Sequence, residues 1–265
     1  MPLEVTPASA YIVTGTTRGI GKALADEVVR RGHLLFTIST ATESRSHGRR
    51  NFYCDLRNPD QIDRTVKELT QAIPFRSIER LVLINNAGVL KHIGPLAERS
   101  QDQIEELIRV NLVTPCFLMA AIMRFSSSFC GKLGIINISS GAARHPYAGW
   151  SLYCASKAAL EMATACAALE QGDADNPVYI AAVAPGVVET GMQEEIRKAG
   201  EREFPMRSRF LEMQKKGRLA TPAKVAEILL DLDLAGQFNP GGSYDLRDVV
   251  WKDGHPTIAE LSGTK

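Results

Sequence analysis

Short apolar runs, each followed by a segment of helical character, constrain this chain more than any other feature. The runs are residues 11–14, 34–39, 51–54, 81–85, 135–139 and 178–184, with a seventh candidate at 241–245. Most are hydrophobic throughout instead of alternating, the pattern of strands covered on both faces. Strand and helix in repeated succession predict an α/β fold, a doubly wound parallel sheet of about seven strands with helices on both faces and right-handed crossovers.

The intervening segments carry helix signals. Residues 20–31 read as a helix stopped by Gly32. Asn58-Pro59 offers a cap and a first-turn proline for a helix to about residue 72. Residues 100–124 read as one long helix with Ser100 as cap, and Pro115 interrupts its hydrogen-bond ladder. Residues 151–169 form an alanine-rich helix, and Thr221-Pro222 caps another. No flexible linker, charge block or repeat divides the chain, so one domain over 1–265 is expected. Residues 190–220 are less regular and charge-rich. They follow the sixth strand, where an insertion sits above the carboxyl ends of a parallel sheet, and are read as a substrate lid.

Composition narrows the classes. Lys plus Arg is 31 and Asp plus Glu is 30, a net charge of +1, which disfavours a nucleic-acid binder working by bulk charge. With 45% hydrophobic residues the chain is not of the disordered class. Cys54, Cys116, Cys130, Cys154 and Cys166 make an odd number with no metal spacing, and reduced, mostly buried thiols are expected. No metal site is expected. The first residues show no signal-peptide pattern, and the longest run without a charge, 110–123, is too short for a membrane span. A cytoplasmic protein with no membrane partner is the expectation.

The first strand runs into Thr14-Gly15-Thr16-Thr17-Arg18-Gly19-Ile20-Gly21. Glycines after a strand let the backbone turn tightly and approach a phosphate, and the helix beyond aims free N–H groups at the anion. Thr16 and Ala23 stand where a P-loop needs Gly and Ser or Thr, so a P-loop nucleotidase is disfavoured. A dinucleotide site for NAD places an acid near the end of the second strand. Here that strand ends Ile38-Ser39-Thr40-Ala41. Hydroxyls there, with Arg18 and Arg45 nearby, favour NADP(H); Glu43 is close enough to keep NAD(H) as the alternative. Arg45, His47, Arg49 and Arg50 read either as a phosphate-binding group or as a solvated loop.

Tyr153 and Lys157 lie one turn apart on a helix and share a face. A nearby ammonium stabilises a phenolate and lowers the phenol's pKa, which suits general acid–base work near neutrality. Ser140 ends a strand at the sheet's carboxyl edge, where it can hold a substrate carbonyl. Asn86-Ala87-Gly88 follows another strand at that edge. Asn111 falls inside a helix, where Asn is a mediocre former. It serves either a site or a tolerated polar contact in the core.

The motifs together resemble the short-chain dehydrogenase/reductase family. They are Thr14-Gly15-x-x-x-Gly19-Ile20-Gly21, Asp55, Asn86-Ala87-Gly88, Asn111, Ser140, Tyr153/Lys157 and Pro185-Gly186-Val187-Val188-Glu189-Thr190, in family order. The resemblance implies a Rossmann-type enzyme moving hydride between a nicotinamide and a carbonyl or alcohol carbon. It implies Tyr153 as proton donor, Lys157 as its partner and holder of the nicotinamide ribose, Ser140 on the substrate oxygen, and Asn111 behind a relay water. It places Asp55 at the adenine, Gly88 at the ribose, and Thr190 at the carboxamide, with Leu56 a further cofactor contact. Gly15, Thr17, Arg18, Gly19, Ile20, Gly21, Ser39, Thr40, Asn86, Ala87, Pro185, Gly186, Val188 and Met192 complete the implied cofactor contacts.

Within that family, residues 149–157 and 185–193 are similar to sepiapterin reductase and benzil reductase-like members. Gly242-Ser243-Tyr244-Asp245 resembles the segment whose Asp anchors a pterin, while the tail from Leu246 departs from that group. The substrate pocket is expected to hold Ser140, Pro146, Tyr147, Trp150, Val187 and Met192 around Tyr153, with Asp245 as a further substrate contact. The expected activity is NADPH-dependent reduction of a ketone or diketone. The alternatives are an NAD-dependent alcohol dehydrogenase and a non-catalytic dinucleotide sensor. Small and apolar helix faces around Ala120-Ala121 and Ala155 suit close helix contact, and the resemblance implies a homodimer or homotetramer.

Overall fold

A computed structural model describes residues 9–41, 48–124, 128–172 and 178–261. Arg45, His47 and Glu43 lie outside the described residues.

Seven parallel strands form the sheet: β1 Ser9–Thr14, β2 Leu34–Ser39, β3 Arg49–Tyr53, β4 Arg80–Asn85, β5 Lys132–Ile138, β6 Tyr179–Ala184 and β7 Ser243–Asp245. Their spatial order is β3-β2-β1-β4-β5-β6-β7. The order reverses between β1 and β4, and their carboxyl ends open a crevice there. Arg49 and Arg50 belong to β3 and pair with Leu35 and Phe36, so they are strand residues and not loop residues.

The helices follow from the signals read above. In α1 (Gly19–Arg30) and α8 (Pro222–Leu234), Leu24, Val28, Val225 and Leu229 pack on Tyr11, Val13 and Val82. In α2 (Pro59–Ala72), Ile62 and Leu69 pack on the opposite face with Ile12, Phe36 and Leu83. The alternation of Tyr11 and Ile12 between these two clusters is the period-two geometry of a strand buried on both sides. Asn58 accepts from the N–H groups of Asp60 and Gln61, and Thr221 from that of Lys224, as the cap residues imply.

The expected long helix from Ser100 is broken. α3 (Gln101–Ile108) passes into a π-helical turn, Arg109–Val113, and then α4 (Thr114–Met123). Pro115 has no N–H to give to the carbonyl of Asn111, four residues back, so the ladder cannot continue in α register. Thr114 N–H instead reaches the Arg109 carbonyl, five residues back. The stretch Gln101–Met123 is, contrary to the run-length reading, long and apolar enough for a membrane span. Half of that window is buried, and the π turn inside it carries Asn111 toward the sheet edge.

α5 (Ser151–Leu169) has the bounds the sequence predicts. Between β6 and α8, residues 190–220 hold two short helices, α6 (Gly191–Lys198) and α7 (Arg207–Lys215). A third apolar cluster joins them to the sheet edge through Leu90, Trp150, Tyr153, Ile196, Phe204 and Phe210.

The tail beyond β7 forms a hairpin of β8 (Val250–Lys252) and β9 (His255–Thr257), turned at Asp253-Gly254 with both φ positive. The chain then returns so that Leu261 N–H donates to the Ser243 carbonyl at 2.8 Å. All five cysteines are free, but only Cys54 is buried, and Cys130 and Cys166 are exposed. The expectation of mostly buried thiols fails because those two occupy solvent-facing positions.

Candidate active site

A cavity of about 410 Å³ opens at the β1–β4 crevice. Its floor is the glycine turn. Gly15 and Gly19 adopt φ of +70° and +57°, and a Cβ on Gly15 would lie 2.9 Å from Ala87 Cα. A Cβ on Gly21 would run into the Gly15 carbonyl oxygen and the Asn86 side-chain amide. The turn is held from the far strand. Asn86 and Ala87 N–H groups both donate to Thr14 Oγ1, at 3.0 and 2.9 Å, and Asn86 Nδ2 donates to the Thr14 carbonyl at 2.9 Å.

Arg18 caps α1 in an extended conformation without a side-chain hydrogen bond, and no acid occupies the first turn. The helix therefore leaves its first N–H groups and positive dipole end facing the cavity, which suits a phosphate. Arg18 also lines the cavity. Its guanidinium is largely exposed, and Glu195 of α6 lies 3.8 Å away.

Of the predicted cofactor residues, Gly15, Thr17, Arg18, Gly19, Ile20 and Gly21 line one wall. Ser39, Thr40, Asp55 and Leu56 line the second, and Asn86, Ala87 and Gly88 the third. Tyr153, Lys157, Pro185, Thr190 and Met192 close the far end. Gly186 and Val188 do not line it. Val188 is buried in a bridge to Ala220, and Gly186 lies under the side chain of Arg247. Thr190 caps α6 with no side-chain bond to the helix, so its hydroxyl is not spent there.

Sequence reasoning missed Arg57, Lys91 and Glu106, which also line the cavity. Arg57 holds both Asp55 carboxylate oxygens and keeps that carboxyl below the usual range, and Lys91 pairs with Glu106 at 2.9 Å. No spacing signal reveals this cluster, because its members come from three separate segments.

The reacting end is built on β5 and α5. Tyr153 and Lys157 are both buried, and Lys157 Nζ lies 5.9 Å from the Tyr153 ring centre. Nζ donates to the Ile138 carbonyl at 2.7 Å. Burial pushes the phenol up to about 12, with a hydrogen bond from Ser140 opposing it, and pushes the ammonium down to about 8, with Glu161 opposing. The expected lowering of the phenol by Lys157 is thus not what the protein alone shows; desolvation dominates. Ser140 Oγ also accepts from Ala142 N–H at 3.2 Å. The Tyr153 hydroxyl faces Met192 Sδ at 4.0 Å.

Asn111 is fully buried. Its Oδ1 accepts from Val89 N–H at 2.8 Å, and its Nδ2 donates to the Val89 carbonyl at 2.9 Å and to Ser156 Oγ at 3.3 Å. A Cβ on the neighbouring Gly88 would lie 3.6 Å from both Asn111 Oδ1 and Lys157 Nζ. The π turn, the Gly88 segment and the lysine therefore meet at one point.

Trp150 stacks on Phe204 with centroids 4.4 Å apart and meets Tyr153 edge-on at 5.8 Å, and Tyr147 tilts against it at 5.1 Å. Trp150 is buried between the sheet edge and the α6–α7 segment, and its Nε1 has no partner among the described residues. Val187 and Met192 pack on the same cluster, whereas Pro146 is exposed and outside it. Asp245, like Asn111, Ser140, Tyr147 and Trp150, is not among the residues that line the cavity. It is buried, with its carboxylate taken by Arg247 Nε and Nη2 at 2.8 and 2.6 Å. The expected direct substrate contact at Asp245 is not what the structure presents: both carboxylate oxygens are engaged by Arg247.

The glycine floor and open helix end fit a dinucleotide. The buried phenol at the far end fits proton transfer to an oxygen held beside Ser140. Among the described residues no cluster suited to a metal ion occurs.

Residues 9–201 match the model of a family described as short chain dehydrogenase. Benzil reductase ((S)-benzoin forming) of Bacillus subtilis is 34% identical over 241 residues, covering 91% of this chain and 99% of that protein. Sepiapterin reductase of Rattus norvegicus is 29% identical over 258 residues, covering 90% of this chain and 96% of that protein. The crystal structure of the KRED1-Pglu enzyme superposes with a TM-score of 0.75 at 25% identity, covering 89% of this chain and all of that one.

Proposed function

The chain belongs to the short-chain dehydrogenase family, and from that premise we propose an NADPH-dependent carbonyl reductase acting on ketones or diketones. The family binds NAD(P)(H) and its members are oxidoreductases. The benzil and sepiapterin reductases among the relatives support the narrower substrate class.

The glycine turn and the N-terminus of α1 hold the pyrophosphate. Arg18, Ser39 and Thr40 receive a 2′-phosphate, since Ser39, Thr40 and Ala41 at the end of β2 carry no carboxylate to repel it. Gly88 and Lys157 take the nicotinamide ribose, and Thr190 the carboxamide. The cofactor, when bound, supplies the hydride. Tyr153 gives its proton to the carbonyl oxygen, and Ser140 orients that oxygen. Lys157 stabilises the phenolate left behind, and Asn111 fixes the Gly88 segment and supports the water that returns the proton. The single observation behind this reading is a buried Tyr153, one helical turn from a buried lysine, lining the same cavity as the glycine turn.

The α6–α7 segment acts as the substrate lid, seated on Trp150 and Tyr147. Association into a homodimer or homotetramer would use exposed apolar residues of the π turn, α4 and α5, such as Val113, Phe117, Met162 and Leu169. Purified protein with NADPH should oxidise the cofactor when given α-diketones or pterins, followed by nicotinamide absorbance. Good turnover of keto-acids or sugars with none on diketones or pterins would refute the narrower reading.

A further inference from the structure

Arg247 is bound on one edge and open on the other. Nε and Nη2 grip the two oxygens of Asp245, and its own N–H donates to Asp245 Oδ1 at 3.0 Å. The Asp245 side chain is 4% exposed, but that of Arg247 is 63% exposed. Among the described residues, no hydrogen bond is made by Nη1.

The place of this guanidinium is set by two glycines. Gly186 has φ of +78°, and a Cβ there would lie 3.1 Å from Arg247 Cγ, so the arginine stem rests on the turn after β6. A Cβ on Gly141 would lie 4.0 Å from Nη2, so the head reaches the turn after β5. Gly141 follows Ser140, and Gly186 follows Pro185, which lines the cavity. Tyr147 packs on Trp150, which meets Tyr153 edge-on. Arg247 therefore bridges the two turns that flank the carbonyl-binding end.

The charge balance around it decides what it can bind. Arg144 donates toward Glu161 at 3.4 Å and lies 4.0 Å from Asp245. Asp248 also acts on Arg247, so three carboxylates face two arginines, and the site offers directed N–H donors without a net positive field. An added anion would meet the repulsion of these carboxylates, whereas a neutral acceptor oxygen takes the free N–H without it.

The geometry points to Arg247 as a specificity-determining residue: its free Nη1 edge donates to a second carbonyl oxygen on the substrate, adjacent to the carbonyl that Ser140 and Tyr153 hold. This rests on the carbonyl-reductase reading and deepens it. The substrate class is then a vicinal dicarbonyl, in preference to a simple ketone or a keto-acid.

Benzil and deoxybenzoin test it, because they share both rings and differ by one carbonyl. With NADPH, Arg247→Met should lower kcat/KM for benzil roughly tenfold, the worth of one hydrogen bond to a charged donor, mostly through KM. Its effect on deoxybenzoin should stay within about twofold. The double variant Asp245→Asn/Arg247→Met leaves no buried carboxylate unpaired and should show the same selective loss. Equal losses on both ketones, no loss on benzil, or a wild-type preference for the keto-acid phenylglyoxylate would overturn the assignment. If the wild type turns over neither ketone, the reductase reading fails. Calorimetric binding of the two ketones to NADP-loaded protein then decides the Arg247 contact by itself, because an Arg247-dependent preference for benzil supports it and equal affinities sink it.

Discussion

Lys157 donates its ammonium to the Ile138 carbonyl at 2.7 Å, tying α5 to the last residue of β5. This bond holds a charge in a buried place, and burial lowers the lysine from 10.5 to about 8. Below that value both folded and unfolded chains carry the proton, and the cost of burying it is fully felt. Between about 8 and 10.5 only the unfolded chain binds it, so stability attributable to this group rises with pH across that window. Urea midpoints should climb there in the wild type and climb less in Lys157→Met. Equal slopes in the two proteins would refute the assignment.

Tyr153→Phe removes one oxygen and leaves the Trp150 and Met192 packing in place. Turnover should fall roughly a hundredfold or more, the usual contribution of a positioned acid–base group. NADPH affinity, read by fluorescence titration, should stay near that of the wild type. An unchanged kcat would remove the phenol from the chemistry.

Gly21→Ala and Gly32→Ala separate a cradle from a turn. A methyl at Gly21 collides with the Gly15 carbonyl and the Asn86 amide, whereas one at Gly32 meets nothing within 4 Å. Gly32→Ala should cost only the left-handed backbone penalty, about 1–2 kcal/mol in thermal or urea unfolding. Gly21→Ala should abolish measurable dinucleotide binding.

Arg18→Ala addresses cofactor choice. The Kd for NADPH should rise about tenfold, and that for NADH should hardly move, because only the former carries the 2′-phosphate. Raising the salt concentration should shrink the difference, since the Arg18 side chain is largely exposed. A parallel loss for both cofactors would place Arg18 on the pyrophosphate instead.

Most of the fold and much of the site could be read from the residues, and the reasons are local. β2, α2 and α5 end where apolar pattern, Asn58-Pro59 and the alanine-rich run say they should. The glycine turn is legible because only glycine fits Gly15 and Gly21. The π turn at Arg109–Val113 was not, since one proline announces a broken ladder but not how the chain repairs it. The joining of Asp55 and Arg57 with Glu106 and Lys91 depends on which segments topology brings together. Asp245 shows the limit most clearly. Its neighbours in sequence pointed to a ligand contact, but a residue two positions later had already taken its carboxylate.

The bond from Leu261 to Ser243 has a consequence for how copies of the chain meet. β7 is the last strand of the sheet, and its backbone groups are a template for any passing extended segment. By returning to that border, the tail occupies a rung that another molecule would otherwise find vacant. A chain shortened before the hairpin would be expected to keep its crevice and yet lose solubility, through edge-to-edge stacking that the intact molecule forestalls.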